Sequence, residues 1–538
     1  MSHKGSPPSQ SSYKPDFRAD ITSGFMVFLI ALPLCLGIAM ASGFPPVAGI
    51  LTAVVGGLIA TFLGSAQLTI KGPAAGLIVI ALGAVQELGN GDMATGYRQA
   101  LATIFIAGVI QMALALVRAG KFGAFFPAAV VHGMLAAIGV IIISKQAHVL
   151  MGVAPQAKEP LHLLAEIPHS LATMNPAIFG IGALSLLLLF GLPLVPKVRK
   201  VPAPLLVLLT AVPLGVWIGL DHTHAVSLLG DSYEVGPKYL VQLPGNLLQA
   251  ITFPDFSAVT SGTSIKYIVM FTLVGSIESL LSAKAVDMLD PQRRHSDLDK
   301  DLLATGVGNT IAGLIGGLPM ISEIVRSSAN INNGAQSRWS NFFHGVFLLV
   351  FVALMPGLLQ MIPLAALSAM LIYTGVRLAS PREFVKTFRI GPEQLLIFTT
   401  TLLVTLATDL LVGVASGVVL KIILHLVNGA PVRNLFRAEI EQEKHGQAVI
   451  VRVHGAAVFT NYLGLEKKLT EIDAAIQRVV LDLDNTRLID HTTVEKLHHL
   501  VEDWQRAGRE LVLQGLDEHR RFSKHHLAAR RKALASQT

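Results

Sequence analysis

The chain has 538 residues, of which 52% are hydrophobic and 14% charged, and its mean hydropathy is +0.58. Charge that scarce excludes an ordinary soluble protein, and the formal net charge of +7 reads as basic bias in the loops on one side of a membrane rather than as a nucleic-acid footprint. The single cysteine, Cys35, excludes an intrachain disulfide framework.

In chain order, residues 1–20 read as a polar, Pro/Ser-rich tail, with Asp16 to Asp20 as an interfacial cap. No small-residue cleavage site follows a short apolar core, so residue 21 onward reads as a retained helix. Apolar windows follow at 21–40, 47–63, 73–88, 98–118, 124–144, 174–195 and 203–220. A longer, acidic connection covers 221–264. The second set is 266–285, 302–316, 320–335, 341–358, 363–377, 393–409 and 410–428. A full span needs about 20 residues, so several segments are expected to be tilted, broken or packed inside. The expected fold class is an α-helical polytopic membrane protein of seven plus seven segments, with segments 3 and 10 broken.

Loop charge supports an even number of spans with both termini inside. Arg118, Lys121, Lys197, Arg199, Lys200, Arg293, Arg294, Lys300, Arg377, Arg382, Lys386 and Arg389 then share one side. The other side holds mainly Arg98, Lys145, Lys158, Lys238 and Lys266.

After Pro431 the pattern changes. Residues 448–453 alternate as a strand, 462–476 have helical periodicity, 478–483 read as a buried strand, 492–507 as a helix and 510–514 as another strand. Short links between alternating strands and helices predict a small α/β domain over 431–519. Residues 520–538 read as a basic tail, either solvated or touching anionic lipid. Thr492 is expected to N-cap its helix, with Glu495 as capping-box partner.

Two stretches break the apolar pattern. Gly72-Pro73-Ala74-Ala75-Gly76 opens the third segment of the first half, and Gly316-Gly317-Leu318-Pro319 opens its counterpart in the second. The second is also polar, with Ser322, Glu323, Arg326, Ser327, Ser328, Asn330, Asn332 and Asn333. A charge at mid-bilayer costs about 2.5–3.5 kcal/mol even on a lenient scale, so such a segment lies within protein or lines a wet cavity. Paired broken helices point to a transporter site at the centre of an inverted repeat. Two helix starts then face each other, each with unpaired N–H groups and about half a positive charge. With Arg326 they form a site for a small anion. Its expected contacts are the backbone N–H groups of Ala74 and Ala75, the hydroxyls of Ser322 and Ser327, and Arg326, which lies about 10 Å along a helix counted from Pro319. Asn330, Asn332 and Asn333 read as interhelical glue, Asp409 as a cap or hinge, and His132 as buried packing.

The chain resembles the sulfate permease (SulP) family of anion transporters over nearly its whole length. The resemblance rests on Asp20, Pro33, the Gly43-Phe44-Pro45-Pro46-Val47-Ala48-Gly49 turn, Gly64-Ser65, Gly72-Pro73-Ala74-Ala75, the run Gly275 to Lys284, Arg326-Ser327-Ser328-Ala329-Asn330, Gly334-Ala335, and Thr408-Asp409-Leu410 with Gly413 and Gly417. The last domain resembles a STAS domain, with Asp482-Leu483-Asp484 and Leu488-Ile489-Asp490. Where related soluble regulators carry a phosphorylatable Ser, this chain has His491.

The resemblance implies seven-plus-seven inverted repeats, a homodimer and elevator-like alternating access. It implies that Glu278, with Ser282 one turn on, holds a coupling ion, sodium where members use it and a proton elsewhere. Glu278 could instead form a fixed pair with Arg326 or Lys284. Glu323 departs from the family's usual small residue and hints at cation or proton coupling.

These readings predict a secondary active transporter of a small inorganic oxyanion, sulfate or bicarbonate, in the inner (plasma) membrane. An anion entering against an inside-negative potential works against about 2.3 kcal/mol per charge per 100 mV, so coupling to sodium or protons is expected. No cofactor beyond that ion is expected, and no nucleic-acid partner. Membrane lipid and a cytoplasmic partner of the STAS-like domain are. An uncoupled channel or exchanger on the same scaffold, or a STAS-based membrane regulator, are the alternatives. No zinc-protease motif, P-loop or nucleophile elbow stands in a fitting context, so an enzyme is not expected.

Overall fold

The computed structural model describes residues 17–120, 127–157, 159–195, 202–228, 231–243, 247–292, 294–445, 448–473 and 476–532. The tail before residue 17, its last residues 533–538, and Lys121, Lys158, Lys197, Arg199, Lys200 and Arg293 lie outside them. The chain divides into two compact units. One joins residues 1–120, 146–155 and 167–373; the other joins 121–145, 156–166 and 374–538.

Among the described residues, eight helices are long and apolar enough to cross a membrane: Phe17–Ala41, Pro46–Leu63, Met93–Leu116, Ala128–Leu150, Pro176–Leu194, Gly262–Leu289, Leu364–Ile390 and Leu410–Val427. Shorter apolar helices cover Ala75–Gly89, Ala203–Ile218, Trp339–Leu354 and Pro392–Ala407. Leu298–Ile315 and Ile324–Asn332 fall at the ninth and tenth windows. The protein is thus a mostly helical, multi-pass membrane protein. Helix ends differ from the windows because polar caps lie beyond the apolar run. Gly262–Leu289 starts where Ser261 Oγ accepts from the Ser264 N–H, before the apolar residues begin. The acidic connection contains a hairpin, His224–Leu228 with Asp231–Val235.

In the first unit, the first helix packs Phe28, Ala31, Leu32, Cys35 and Leu36 into a cluster with Leu348 and Val352. Its start is tied at Asp20, which accepts from the Gln336 and Ser337 N–H groups at 2.8 and 3.1 Å.

In the second unit, Asp409 caps Leu410–Val427 by accepting from the Val412 N–H at 2.9 Å, as a residue between two spans should. His132 is not buried packing. Its side chain is 40% exposed and stands 3.8 Å from Glu383. Beyond Pro431 comes a seven-stranded sheet. Ala448–Ala457 pairs in parallel with Arg478–Asp482 and Thr486–Ile489, and Arg478–Asp482 with Glu510–Gln514. Val449, Val451 and Val453 alternate into its core with Leu481, Val494, Leu497 and Trp504.

Two details of this domain correct the sequence reading. The stretch taken as a basic tail contributes strands His519–Arg521 and Arg530–Lys532 to the sheet, so the boundary drawn at 519 cuts through it. Arg530 is buried there because its guanidinium donates to the carbonyls of Leu516 and His526. A run of charges in sequence does not reveal such internal partners. The helix His491–Arg506 is capped by Asp490, which accepts from the Thr493 N–H at 2.9 Å, not by Thr492. Thr492 Oγ1 instead accepts from Lys421 Nζ at 2.7 Å.

Candidate functional site

Both breaks fold as short strands that pair with each other. Ile70–Pro73 runs antiparallel to Met320–Glu323 in the register Ile70 with Glu323, Lys71 with Ser322, Gly72 with Ile321 and Pro73 with Met320. Helix resumes after each strand, at residues 75–89 and 324–332. Because the strands are antiparallel, the two helices leave from opposite ends of one ribbon. Each helix start carries N–H groups without an intrahelical acceptor. The extended residues 320–323 also move Arg326: it stands in the first turn of its helix, not 10 Å along it as a helical count from Pro319 suggested.

A two-stranded ribbon this short is marginal alone. Side chains from neighbouring helices complete its hydrogen bonding. Asn309 Oδ1 accepts from the Met320 N–H at 2.6 Å, Ser279 Oγ from the Ser322 N–H at 3.1 Å, Ser327 Oγ from the Ile70 N–H at 2.8 Å and Asn341 Oδ1 from the Lys71 N–H at 3.3 Å. Asn330 does act as glue, accepting from Ser23 and donating to the Leu68 carbonyl and Ser340.

Charge converges on the crossing. Glu323 Oε1 accepts from the Ala75 N–H at 3.4 Å, so a carboxylate from one half sits at the helix start of the other. Glu278 lies against the very next residue: a Cβ on Gly76 would fall on its carboxylate oxygens, which is why glycine stands there. Glu278 and Glu323 are close enough for their charges to interact, as are Glu323 and Arg326. Arg326 is 1% exposed. Its Nη1 donates to Cys35 Sγ at 3.4 Å and would stand 2.6 Å from a Cβ at Gly72. Among the described residues, Glu278 Oε1, Arg326 Nη2 and both ring nitrogens of His344 are buried without a hydrogen-bond partner.

The other expected contacts are placed as follows. The Ala74 N–H donates to the Pro319 carbonyl at 3.3 Å, and the Ala75 N–H is held by Glu323. Ser322 Oγ accepts from Lys71 Nζ at 3.0 Å and from Ser279 at 3.4 Å. Ser327 Oγ donates to the Glu323 carbonyl at 2.6 Å. These groups are occupied from within the protein, an arrangement spacing alone could not show. Among the described residues Glu278 forms no ion pair with Arg326 or Lys284, and Lys284 is exposed. Ser282 is half-buried one turn after Glu278. No group of three or more His, Cys, Asp or Glu side chains able to hold a metal occurs among the described residues.

Sequence reasoning missed Lys71, Asp301, Cys35 and His344. Lys71 had a signal, a lysine in an apolar run directly ahead of Gly72-Pro73. The other three had none, because their place beside the ribbon depends on helices far apart in sequence.

A multi-pass helical bundle whose two broken segments cross at buried charge belongs to the class of membrane transporters with discontinuous helices. The chain belongs to the sulfate permease family: that family's model matches residues 17–401, and the STAS domain matches residues 439–527. It is 25% identical over 508 residues to the putative sulfate transporter YvdB of Bacillus subtilis, covering 93% of this chain and 92% of that one. To the bicarbonate transporter BicA of Synechocystis it is 24% identical over 519 residues, covering 93% and 88%. Among solved structures, the transmembrane domain of a cyanobacterial BicA aligns with a TM-score of 0.61 at 23% identity, covering 74% of this chain and 97% of that one. Murine Slc26a9, an anion transporter in its inward-facing state, aligns with a TM-score of 0.66 at 16% identity, covering 92% and 85%. At these identities the structural likeness shows the fold. Family and relatives are transporters, not enzymes.

Proposed function

We propose that this protein is a secondary active transporter of a small inorganic oxyanion, sulfate or bicarbonate, coupled to sodium or protons. The observation that carries the reading is the pair of unmatched groups at the crossing, Arg326 Nη2 and Glu278 Oε1. A buried polar group left unpaired costs about 1–3 kcal/mol, more when charged. A guanidinium N–H is matched by an anion, and a carboxylate oxygen by a proton or a cation. The names of the relatives, a sulfate and a bicarbonate transporter, support the substrate class.

Charge balance supplies the coupling. Two carboxylates and one guanidinium leave the crossing with one excess negative charge when all three are ionised. An arriving anion adds to it and competes with Glu323 for the Ala75 N–H. A proton on either carboxyl, or sodium held by Glu278 and Ser282, offsets that charge in a low-dielectric site. Arg326, the Ala75 N–H and the second helix start then face the anion, with Ala74, Ser322 and Ser327 holding the strand ends that present them. In this reading the chain is a seven-plus-seven inverted repeat that works as a homodimer by an elevator-type movement. It lies in the inner membrane with both termini cytoplasmic, where the STAS domain is free to meet a cytoplasmic partner.

The test is uptake of labelled sulfate and of labelled bicarbonate by the full chain in proteoliposomes, with sodium and proton gradients imposed separately. One gradient should accelerate uptake of one anion, and Glu278→Gln should abolish that acceleration. Uptake indifferent to both gradients removes the coupling, and a large anion conductance identifies an uncoupled channel instead.

A further inference from the structure

Lys71 is a lysine in the middle of a strand inside a membrane bundle, 2% exposed, and its ammonium faces Asp301, 1% exposed, at 3.3 Å. Such a pair is expensive to bury and weak evidence for stability; its best-attested use is to specify one arrangement over another. Its contacts show which arrangement. Lys71 Nζ also donates to Ser322 Oγ, the residue directly opposite it in the ribbon, at 3.0 Å. Asp301 accepts in addition from the backbone N–H groups of Ser65 and Ala66, at 3.2 Å each, in the turn that leads into the strand. One carboxylate therefore holds both the entry to the first strand and the lysine that crosses to the second. Every acceptor position used is charge-assisted and internal.

The ribbon needs such a key. Side chains alternate between its faces with a period of two. Gly72 is on the face that Arg326 approaches, while its neighbour Lys71 is on the face of Asp301, Ser322 and Ser279. A slip of one residue exchanges the faces. It would put the lysine stem where the guanidinium of Arg326 now lies and draw Glu323 away from the Ala75 N–H. With four residues in each strand, main-chain bonding alone discriminates poorly between registers.

We propose that Lys71, neutralised by Asp301, is a positioning residue for the anion site: it fixes the ribbon register that sets Arg326, Glu323 and the helix start at Ala75 against one another. The inference rests on the transport reading for its functional consequence, and on geometry alone for the register. The two parts are tested separately. Cys35 is the only cysteine in the chain and lies against Arg326 Nη1, so its alkylation reports the packing of the crossing without reference to transport.

The experiment compares the full-length wild type, Lys71→Met/Asp301→Asn and Lys71→Arg in liposomes. The double variant removes both charges together, which avoids leaving either one buried alone. Expected for it are a rise of roughly tenfold in the KM for sulfate or bicarbonate with a smaller change in maximal rate, and alkylation of Cys35 by N-ethylmaleimide faster by a similar factor. Lys71→Arg, which keeps the charge opposite Asp301, should stay closer to wild type than the double variant does in both. A double variant with wild-type Cys35 reactivity overturns the register claim, and one with wild-type KM overturns the positioning role. A wild type that moves neither anion defeats the transport reading and with it the positioning role, while faster Cys35 alkylation in the double variant would still uphold the register.

Discussion

Among the described residues, two lysines are buried almost completely, and each meets an aspartate. Lys71 and Asp301 stand 3.3 Å apart in the first unit, Lys421 and Asp490 2.8 Å apart in the second. Their surroundings differ. Around Lys71 the remaining partners are backbone N–H groups on the aspartate and a serine opposite in the ribbon, so the network joins pieces of one transmembrane site. Around Lys421 the partners belong to the STAS domain: Thr492 Oγ1 at 2.7 Å, the Phe459 ring at 4.7 Å, and Asp490, which also caps the helix His491–Arg506. There a lysine on the last spanning helix holds the start of a helix in the STAS domain. The same chemistry thus serves register in one place and attachment in the other. The comparison teaches that a buried pair is understood from what its second and third partners belong to, not from its length.

Breaking one partner of either pair should separate the two roles. The largest loss is expected from Lys71→Met alone, which leaves Asp301 charged and unpaired at roughly 3–5 kcal/mol. The yield of monodisperse protein on size exclusion should collapse, and adding Asp301→Asn should recover much of it. A similar cost, roughly 3–5 kcal/mol, is expected from Asp490→Ala, which leaves Lys421 buried without its aspartate and removes a helix cap, but it should fall on the STAS domain. Hydrogen exchange should quicken in residues 491–506 while the ribbon at 70–73 and 320–323 stays protected; equal loosening of both would deny the division of roles. Ser327→Ala should cost least, about 1–3 kcal/mol, because it removes the bond to the Glu323 carbonyl and leaves the Ile70 N–H unmatched, seen as a lowered melting temperature.

The second pair also makes a statement about pH. Burial alone would raise the Asp490 carboxyl, but the Lys421 ammonium, His425 and the hydrogen bonds from Lys421 and Thr493 outweigh it and hold the group below the usual carboxylate range. A depressed pKa contributes stability that is fully present above the ordinary value of 3.8 and is lost as pH falls through the folded value. The Asp490 contribution to exchange protection of residues 491–506 should therefore be level from neutral pH down to about pH 5 and fade only in stronger acid. Loss of protection between pH 7 and 6 would point to another group.

Much of the architecture is legible along the chain. The windows match the helices in order because a span must be apolar over most of its length. The breaks at Gly72-Pro73 and Gly316 to Pro319 show because glycine and proline together disfavour helix strongly, although single prolines such as Pro33 and Pro213 are carried inside helices. Glu278, Glu323 and Arg326 stand out because ionisable groups are rare inside a bilayer. What escapes is partner choice. Nothing near Ala75 announces that a glutamate 248 residues away takes its N–H, and nothing in Arg520 to Lys532 announces two strands.

Apolar length and the two interruptions determined, without any coordinates, that this is a multi-pass helical protein with two discontinuous segments and a small α/β domain after them. Those are properties of local runs of residues, set by the cost of leaving backbone polar groups unpaired in lipid. Only the tertiary structure decided that the interruptions pair as a ribbon, that Lys71 turns to Asp301, and that Lys421 reaches Asp490. Each of those depends on distant segments arriving together, where burying a charge is tolerable only beside one particular partner.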